Sequence, residues 1–345
     1  MITMLDTDFS QLNQFISETN PSKLFILCDE NTHHYCLPFL LANLETEIPF
    51  EILEIEPGEE MKTIETAAQL WEILSEFECD RKALMINVGG GVITDMGGFV
   101  ASTYKRGIKF INVPTTLLAM CDASIGGKTG IDHQFLKNIV GTFALPEEIF
   151  VFPHFLKTLA FTELRSGFAE MLKHGLIADA NHWNTLTAIE ELTPETIAPS
   201  IETSMQIKQN VVETDFKEQN IRKTLNFGHT IGHAFESLFL QSGNIIPHGE
   251  AVAAGMICET YLSYLENLIS EVTCNEIIKK LNQYYPKLNI SSFSNETLLK
   301  LMVNDKKNEA GKINFSLLDG IGSCTYDYKS DENSIIKALE FYKNL

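Results

Sequence analysis

The chain has 345 residues, 44% of them hydrophobic and 21% charged, with a formal net charge of -20 at pH 7. That length supports two domains with separate cores, and the composition excludes a disordered chain. So acidic a body repels nucleic-acid phosphates and anionic membranes, which excludes both as expected partners and makes clusters among its 26 Lys and Arg residues informative.

In chain order, residues up to about 152 alternate short apolar runs with helical patterns. KLFILCD (23–29), FEILEIE (50–56), KALMINV (82–88), KFINVP (109–114) and EIFVFP (148–153) read as strands. Residues 60–78 read as a helix, with Ile64, Ala67, Ala68, Trp71 and Leu74 on one stripe. Strands apolar on both faces, alternating with helices, predict a parallel α/β sheet. Beyond Pro153 the pattern turns mainly helical, over 160–268 and again from 272. The expected division is residues 1–159 and 160–345, with the junction between them the default place for a site. No internal repeat is present.

The seven cysteines are scattered, with no C-x-x-C pair, as expected in a reducing compartment. MITMLDTDFS lacks the basic and apolar regions of a secretory signal, and no apolar run approaches the roughly 20 residues of a membrane helix. The expectation is a soluble, cytoplasmic protein.

Gly89-Gly90-Gly91 follows the third of these strands, and a helical stretch, Met96 to Tyr104, comes next. Glycines at such a turn let backbone N–H groups approach a pyrophosphate, although this is not the G-x-G-x-x-G fingerprint and a plain tight turn reads the same way. Asp95 is either part of that turn or a helix cap. Glu59, Glu60 and Lys62 read as an ordinary acidic helix start.

His229 and His233, spaced i, i+4, share one helix face and make a good start for a zinc site, or for two helix histidines held by neighbours. His248 follows at a loop-to-helix boundary, where a third histidine raises the odds of a site. Glu170, Lys173 and His174 share a helix face among apolar neighbours, where a carboxylate wants a cation. Arg106, Lys128, Lys137, Lys173, Lys208, Arg222, Lys306 and Lys307 recur beside these motifs, as an anion pocket would require.

These residues lie in a longer series: GGGVITDMGGF (89–99), YKRGI (104–108), VPTTLLAMCDASIGGKTGID (113–132), LKNIVGTF (136–143), FLKTL (155–159), GFAEMLKHGLI (167–177), RKTLNFGHTIGHAFE (222–236), PHGEAVAAGM (247–256) and DKK (305–307). The series closely resembles the 3-dehydroquinate synthases, within the sugar phosphate cyclases. The resemblance implies a Rossmann-like parallel α/β domain that binds NAD, followed by a mainly α-helical domain that binds metal and substrate. It implies Glu170, His229 and His248 as ligands of a divalent ion, zinc or cobalt, which makes His233 an acid–base residue rather than a ligand. For NAD it implies Asp29, Glu59, Lys62, Gly90, Gly91, Val92, Asp95, Thr115, Thr116, Asp122, Lys128, Lys137, Phe155 and Thr158. For substrate it implies Asp122, Lys128, Asn138, Lys173, Lys208, Arg222, Asn226 and one or both of Lys306 and Lys307. Lys128, Lys173, Glu218 and His233 are the implied catalytic groups, and Arg106 is implied to reach a neighbouring subunit's site in a homodimer.

The implied reaction converts 3-deoxy-D-arabino-heptulosonate 7-phosphate to 3-dehydroquinate and phosphate, in the shikimate pathway to aromatic amino acids. It runs through transient oxidation by NAD, phosphate elimination, re-reduction and aldol closure. Two departures stand out. Asn220 occupies a position where the family usually has glycine, and Asn is the side chain best able to keep a left-handed turn. The connection from His229 to His248 is longer than usual. The rival readings are another cyclase such as a 2-deoxy-scyllo-inosose synthase, a metal-dependent polyol dehydrogenase, and a nucleotide-binding protein without catalysis.

Overall fold

The structure, a computed structural model, describes residues 1–133, 136–303 and 313–345. The chain divides into two compact units, Met1–Ala160 and Phe161–Leu345.

The first unit carries strands β1 (Ile2–Met4), β2 (Leu24–Asp29), β3 (Phe50–Ile55), β4 (Leu84–Gly89), β5 (Lys109–Pro114), β6 (Lys128–His133), β7 (Leu136–Phe143) and β8 (Ile149–Val151). Its helices are α1 (Ser10–Thr19), α2 (Glu30–Tyr35), α3 (Leu37–Ala42), α4 (Ile64–Glu76) and α5 (Gly91–Thr103). Six strands form a parallel sheet in the order β1-β8-β5-β4-β2-β3. Leu24–Cys28 of β2 and all of β4 are buried, because helices cover both faces of a parallel sheet and each strand must be apolar on both sides. The chain runs from β2 to β3 on one side, then returns to place β4 on the other side of β2. That reversal is a topological switch point, and open α/β sheets bind ligands beyond the carboxyl ends of the strands there.

Two local readings need correction. The helix after the glycine turn starts at Gly91 rather than Met96. The expected 60–78 helix is a short 3-10 turn, Glu59–Met61, followed by α4, whose start is capped by the Thr63 hydroxyl accepting from Thr66 N–H. The antiparallel β6–β7 hairpin carries no alternating apolar signal, since Ile139, Val140 and Phe143 all remain exposed.

The second unit holds α6 (Phe161–Ala178), α7 (Ala180–Thr187), α8 (Pro194–Thr214), α9 (His229–Gln241), α10 (His248–Leu265), α11 (Glu271–Tyr284), α12 (Asn295–Val303) and α13 (Glu332–Asn344). It also contains an antiparallel hairpin, β9 (Phe315–Gly320) and β10 (Ser323–Tyr328), in the tail expected to be helical. Helix α10 is buried on every side from Gly249 to Thr260, as its largely small and apolar sequence requires of a central helix. Among the described residues no helix is long and apolar enough to cross a membrane.

Candidate active site

In the first unit, β2, β4 and β5 are neighbours and end at Asp29, Gly89 and Pro114. Their carboxyl ends gather several of the residues expected around a cofactor. Thr115 N–H donates to the Gly89 carbonyl at 3.0 Å, and Thr116 Oγ1 accepts from Ala119 N–H at 3.1 Å. A Cβ at Gly90 would stand 3.1 Å from Thr116 Cγ2, so a side chain there would crowd this ledge. Gly90 caps α5 without any side-chain hydrogen bond, and Val92 lies in the first turn. The helix start therefore offers backbone N–H groups and the positive end of its dipole, which suit a pyrophosphate. Asp29 caps α2, accepting from Thr32 N–H at 2.8 Å.

Lys62 departs most from the plain reading of its segment. It is buried, and its ammonium donates to Asp95 Oδ2 at 2.9 Å and Asn138 Oδ1 at 2.5 Å, with Glu59 Oε1 at 3.5 Å. Burial works against the charge, but Asp95 and Glu59 outweigh it and raise the Lys62 pKa. Asp95 is thus not a cap, and the amide oxygen of Asn138 accepts from Lys62. Lys128 and Lys137 lie exposed on β6 and β7, Asp122 sits in the one-turn π-helix Ala119–Ala123, and Arg106 is exposed with a left-handed φ of 67°. Phe155 is buried edge-on against Phe152, and the Thr158 hydroxyl donates to its carbonyl at 3.2 Å.

In the second unit, Glu170 on α6 is fully buried and forms an ion pair with Lys173 one turn away. Its Oε1 faces His229 Nε2 at 3.4 Å and His248 Nε2 at 3.6 Å. Ligands held tetrahedrally at about 2.0–2.1 Å from a zinc-like ion lie roughly 3.3–3.4 Å apart, so this trio fits a shared divalent ion. Burial and the Lys173 charge push His229 down to about 3, leaving a neutral ring with a lone pair. Burial opposes a charge on His248 as well, but Glu170 and Glu236 raise it to about 10. Burial disfavours the Glu170 carboxylate, yet the Lys173 charge holds it ionised well below its usual range. The point between these groups favours positive charge. His233, one turn beyond His229, has its ring centroid 5.2 Å from that of His229 and 6.1 Å from that of His248.

One support carries no sequence signal. Glu259 on α10 is fully buried and accepts from the backbone N–H groups of Gly228 at 2.6 Å and Ile231 at 3.0 Å. An anion at the positive end of α9 fixes the start of the helix that presents His229. His174 Nδ1 lies 2.8 Å from Ser204 Oγ on α8.

Asp215 organises the segment that carries Glu218, Arg222 and Asn226. Its carboxylate accepts from the N–H groups of Gln219 at 2.9 Å, Asn220 at 2.6 Å and Arg222 at 3.2 Å. Arg222 is buried, with Nη1 donating to the Phe216 carbonyl at 2.6 Å, and Asn226 Nδ2 donates to Glu218 Oε1 at 2.9 Å. Lys208, also buried, comes from α8. Asn220 has φ -138°, so the left-handed residue of this turn is not Asn220 but Glu218, at φ 56°. Lys306 and Lys307 lie outside the described residues.

Burial raises the Asp215 pKa, but the N–H bonds from Gln219, Asn220 and Arg222 and the Arg222 charge bring it below 3.8 overall. A depressed carboxylate contributes stability above its unfolded value that is lost as pH falls through the folded one. Asp215→Asn should therefore unfold at lower urea than the parent at pH 7. The gap should narrow below about pH 4. An equal gap at pH 7 and pH 3 would contradict this role.

The fold and the site together define a class. The structure superposes on a 2-epi-5-epi-valiolone synthase from Streptomyces hygroscopicus subsp. jinggangensis, solved with NAD+ and Zn2+ bound, with TM-score 0.89 and 25% identity over 100% of this chain and 96% of that one. It superposes on a 2-deoxy-scyllo-inosose synthase complexed with carbaglucose-6-phosphate, NAD+ and Co2+ with TM-score 0.82 and 24% identity over 99% and 96%. The architecture is that of the sugar phosphate cyclases. Residues 52–166 match the family described as 3-dehydroquinate synthase N-terminal, and residues 167–308 the family described as 3-dehydroquinate synthase C-terminal. The 3-dehydroquinate synthase of Parabacteroides distasonis is 43% identical over 336 residues, 97% of this chain and 95% of the relative, and that of Enterococcus faecalis is 38% identical over 312 residues, 88% and 85%. This chain belongs to the 3-dehydroquinate synthase family.

Proposed function

We propose that the protein converts 3-deoxy-D-arabino-heptulosonate 7-phosphate to 3-dehydroquinate and inorganic phosphate, with NAD and a divalent cation, zinc or cobalt, as cofactors. The observation that carries this reading is the approach of His229 and His248 to the buried Glu170 carboxylate, at 3.4 and 3.6 Å, in a chain of this family. The cofactors, when bound, supply reversible hydride transfer and polarisation of the carbon-5 oxygen.

The chain's own groups bind, orient and move protons. Residues 1–159 form the NAD-binding part, with the Gly90–Gly91 helix start at the pyrophosphate and Asp29, Glu59, Lys62, Asp95, Thr115 and Thr116 among its contacts. Residues 160–345 carry the metal trio and the cationic set. Lys173, Lys208 and Arg222, with Lys128 and Asn226, hold the carboxylate and phosphate of the substrate. Buried cations serve this better than surface ones, since little water competes for them. His233 and Glu218 exchange protons with the substrate's hydroxyl groups. Lys306 and Lys307 are assigned to substrate on the family pattern alone.

Arg222→Ala should raise KM for the heptulosonate phosphate by about 100-fold, the loss of a buried charge-assisted contact, while NAD binding stays unchanged. Titration of each ligand separately checks this, and an unaltered substrate affinity would remove Arg222 from the site. The reaction as a whole is tested by following phosphate release and nicotinamide absorbance together. Phosphate released without lasting NADH supports the cyclase, whereas accumulating NADH would mark a polyol dehydrogenase.

The working form is a homodimer in the cytoplasm. The exposed Ile139, Val140 and Phe143 on β7 and the exposed Arg106 support a second copy, and seven cysteines without a disulfide support a reducing compartment.

A further inference from the structure

Glu236 closes the RKTLNFGHTIGHAFE motif, yet neither the cofactor nor the substrate reading gives it a role. On α9 it follows His229 by seven residues and His233 by three, so all three share one stripe of the helix. His248, the first residue of α10, lies opposite that stripe. Its Nδ1 is 3.5 Å from Glu236 Oε2, and its Nε2 is 3.6 Å from Glu170 Oε1.

An imidazole that ligates a metal is neutral, with one N–H and one lone pair, and the partner of one nitrogen decides which the other presents. His229 shows the pattern within the same site. Its Nδ1 lies 3.1 Å from the Phe227 carbonyl, which accepts the N–H and leaves the Nε2 lone pair facing Glu170. Among the described residues no backbone carbonyl does this for His248, whose side chain is 28% exposed and follows a loop containing Ile245, 83% exposed. Glu236 supplies the acceptor on that side. Its charge also joins that of Glu170 in balancing a divalent ion.

We propose that Glu236 is a positioning residue for His248: it accepts the Nδ1–H, fixes ring and tautomer, and thereby presents Nε2 to the divalent ion. The inference rests on the Glu170–His229–His248 metal reading. Carboxylate partners of ligand histidines typically contribute about 10–100-fold to metal affinity.

The test uses the full-length protein stripped of metal and titrated with Zn2+ against a chromophoric chelator. Glu236→Gln keeps the shape but removes the charged acceptor, and Glu236→Ala removes both. Each should weaken zinc by about 10–100-fold, with the metal-free melting temperature and the affinity for NAD unchanged. His248→Ala, measured alongside, should lose stoichiometric zinc. Wild-type zinc affinity in both Glu236 variants, with binding lost in His248→Ala, overturns the positioning role and leaves the metal site standing. Loss in Glu236→Gln as complete as in His248→Ala makes Glu236 a ligand and also overturns it. Wild-type affinity in His248→Ala defeats the metal reading itself.

Discussion

His248→Ala should lose its metal and its turnover together, with phosphate release falling by at least about 1,000-fold. The argument is geometric. Of the three groups facing one another, Glu170 is fully buried and His229 is largely so, while the His248 side chain is 28% exposed and starts a helix. Truncating it opens little of the core, so the folded protein should survive and the loss can be read as loss of the ligand. Two remaining ligands hold an ion far less tightly than three, and without it nothing offsets the charge that builds on the carbon-5 oxygen. Metal content after dialysis and the initial rate of phosphate release check both halves. Normal turnover with stoichiometric metal would remove His248 from the ligand set.

Gly255→Ala should destabilise the protein by about 3 kcal/mol and weaken metal binding, although it touches no ligand. A Cβ at this position would stand 1.9 Å from the Gly228 carbonyl oxygen and 2.7 Å from Gly232 N, both backbone atoms, so no side chain can move aside. Helix α10 would have to back away from the start of α9. His229 is the first residue of α9 and His248 the first of α10, so the same displacement separates the two imidazoles. It also disturbs the Glu259 carboxylate that caps α9 from within α10. Urea denaturation and zinc titration of the variant check the two effects, and a shift in neither would show that the helices are free to slide.

Much of the fold was legible because burial writes itself into composition. Strands β2, β4 and β5 are covered on both faces, so they appear as near-continuous apolar runs. The β6–β7 hairpin was not legible, because its glycines and exposed Ile139, Val140 and Phe143 give no alternation. The start of α5 was hidden for a related reason: Gly90 and Gly91 are poor helix formers, and their merit is the backbone they leave open.

The site divides similarly. Spacing alone brought out His229 with His233, since i, i+4 is a local relation. His248 entered only as a third histidine that raises the odds of a site, and Glu170, on a separate helix, could not be joined to them by spacing; the resemblance offered that set. Lys62 looked like part of an acidic helix start, and its burial among Glu59, Asp95 and Asn138 depends on chain that arrives much later. Asn220 invited an argument from left-handed turns, whereas the turn places Glu218 there and leaves Asn220 at a negative φ. Glu236, Glu259 and Asp215 act by supporting other residues, a role that no residue type or spacing announces.

The account depends most on one ion held by Glu170, His229 and His248. Anomalous diffraction at the zinc edge, from crystals of the protein grown with zinc and NAD, tests this directly. The account predicts a single strong peak within roughly 2.0–2.2 Å of Glu170 Oε1, His229 Nε2 and His248 Nε2. A peak between His233, Glu236 and His248 instead, or none near Glu170, would contradict it.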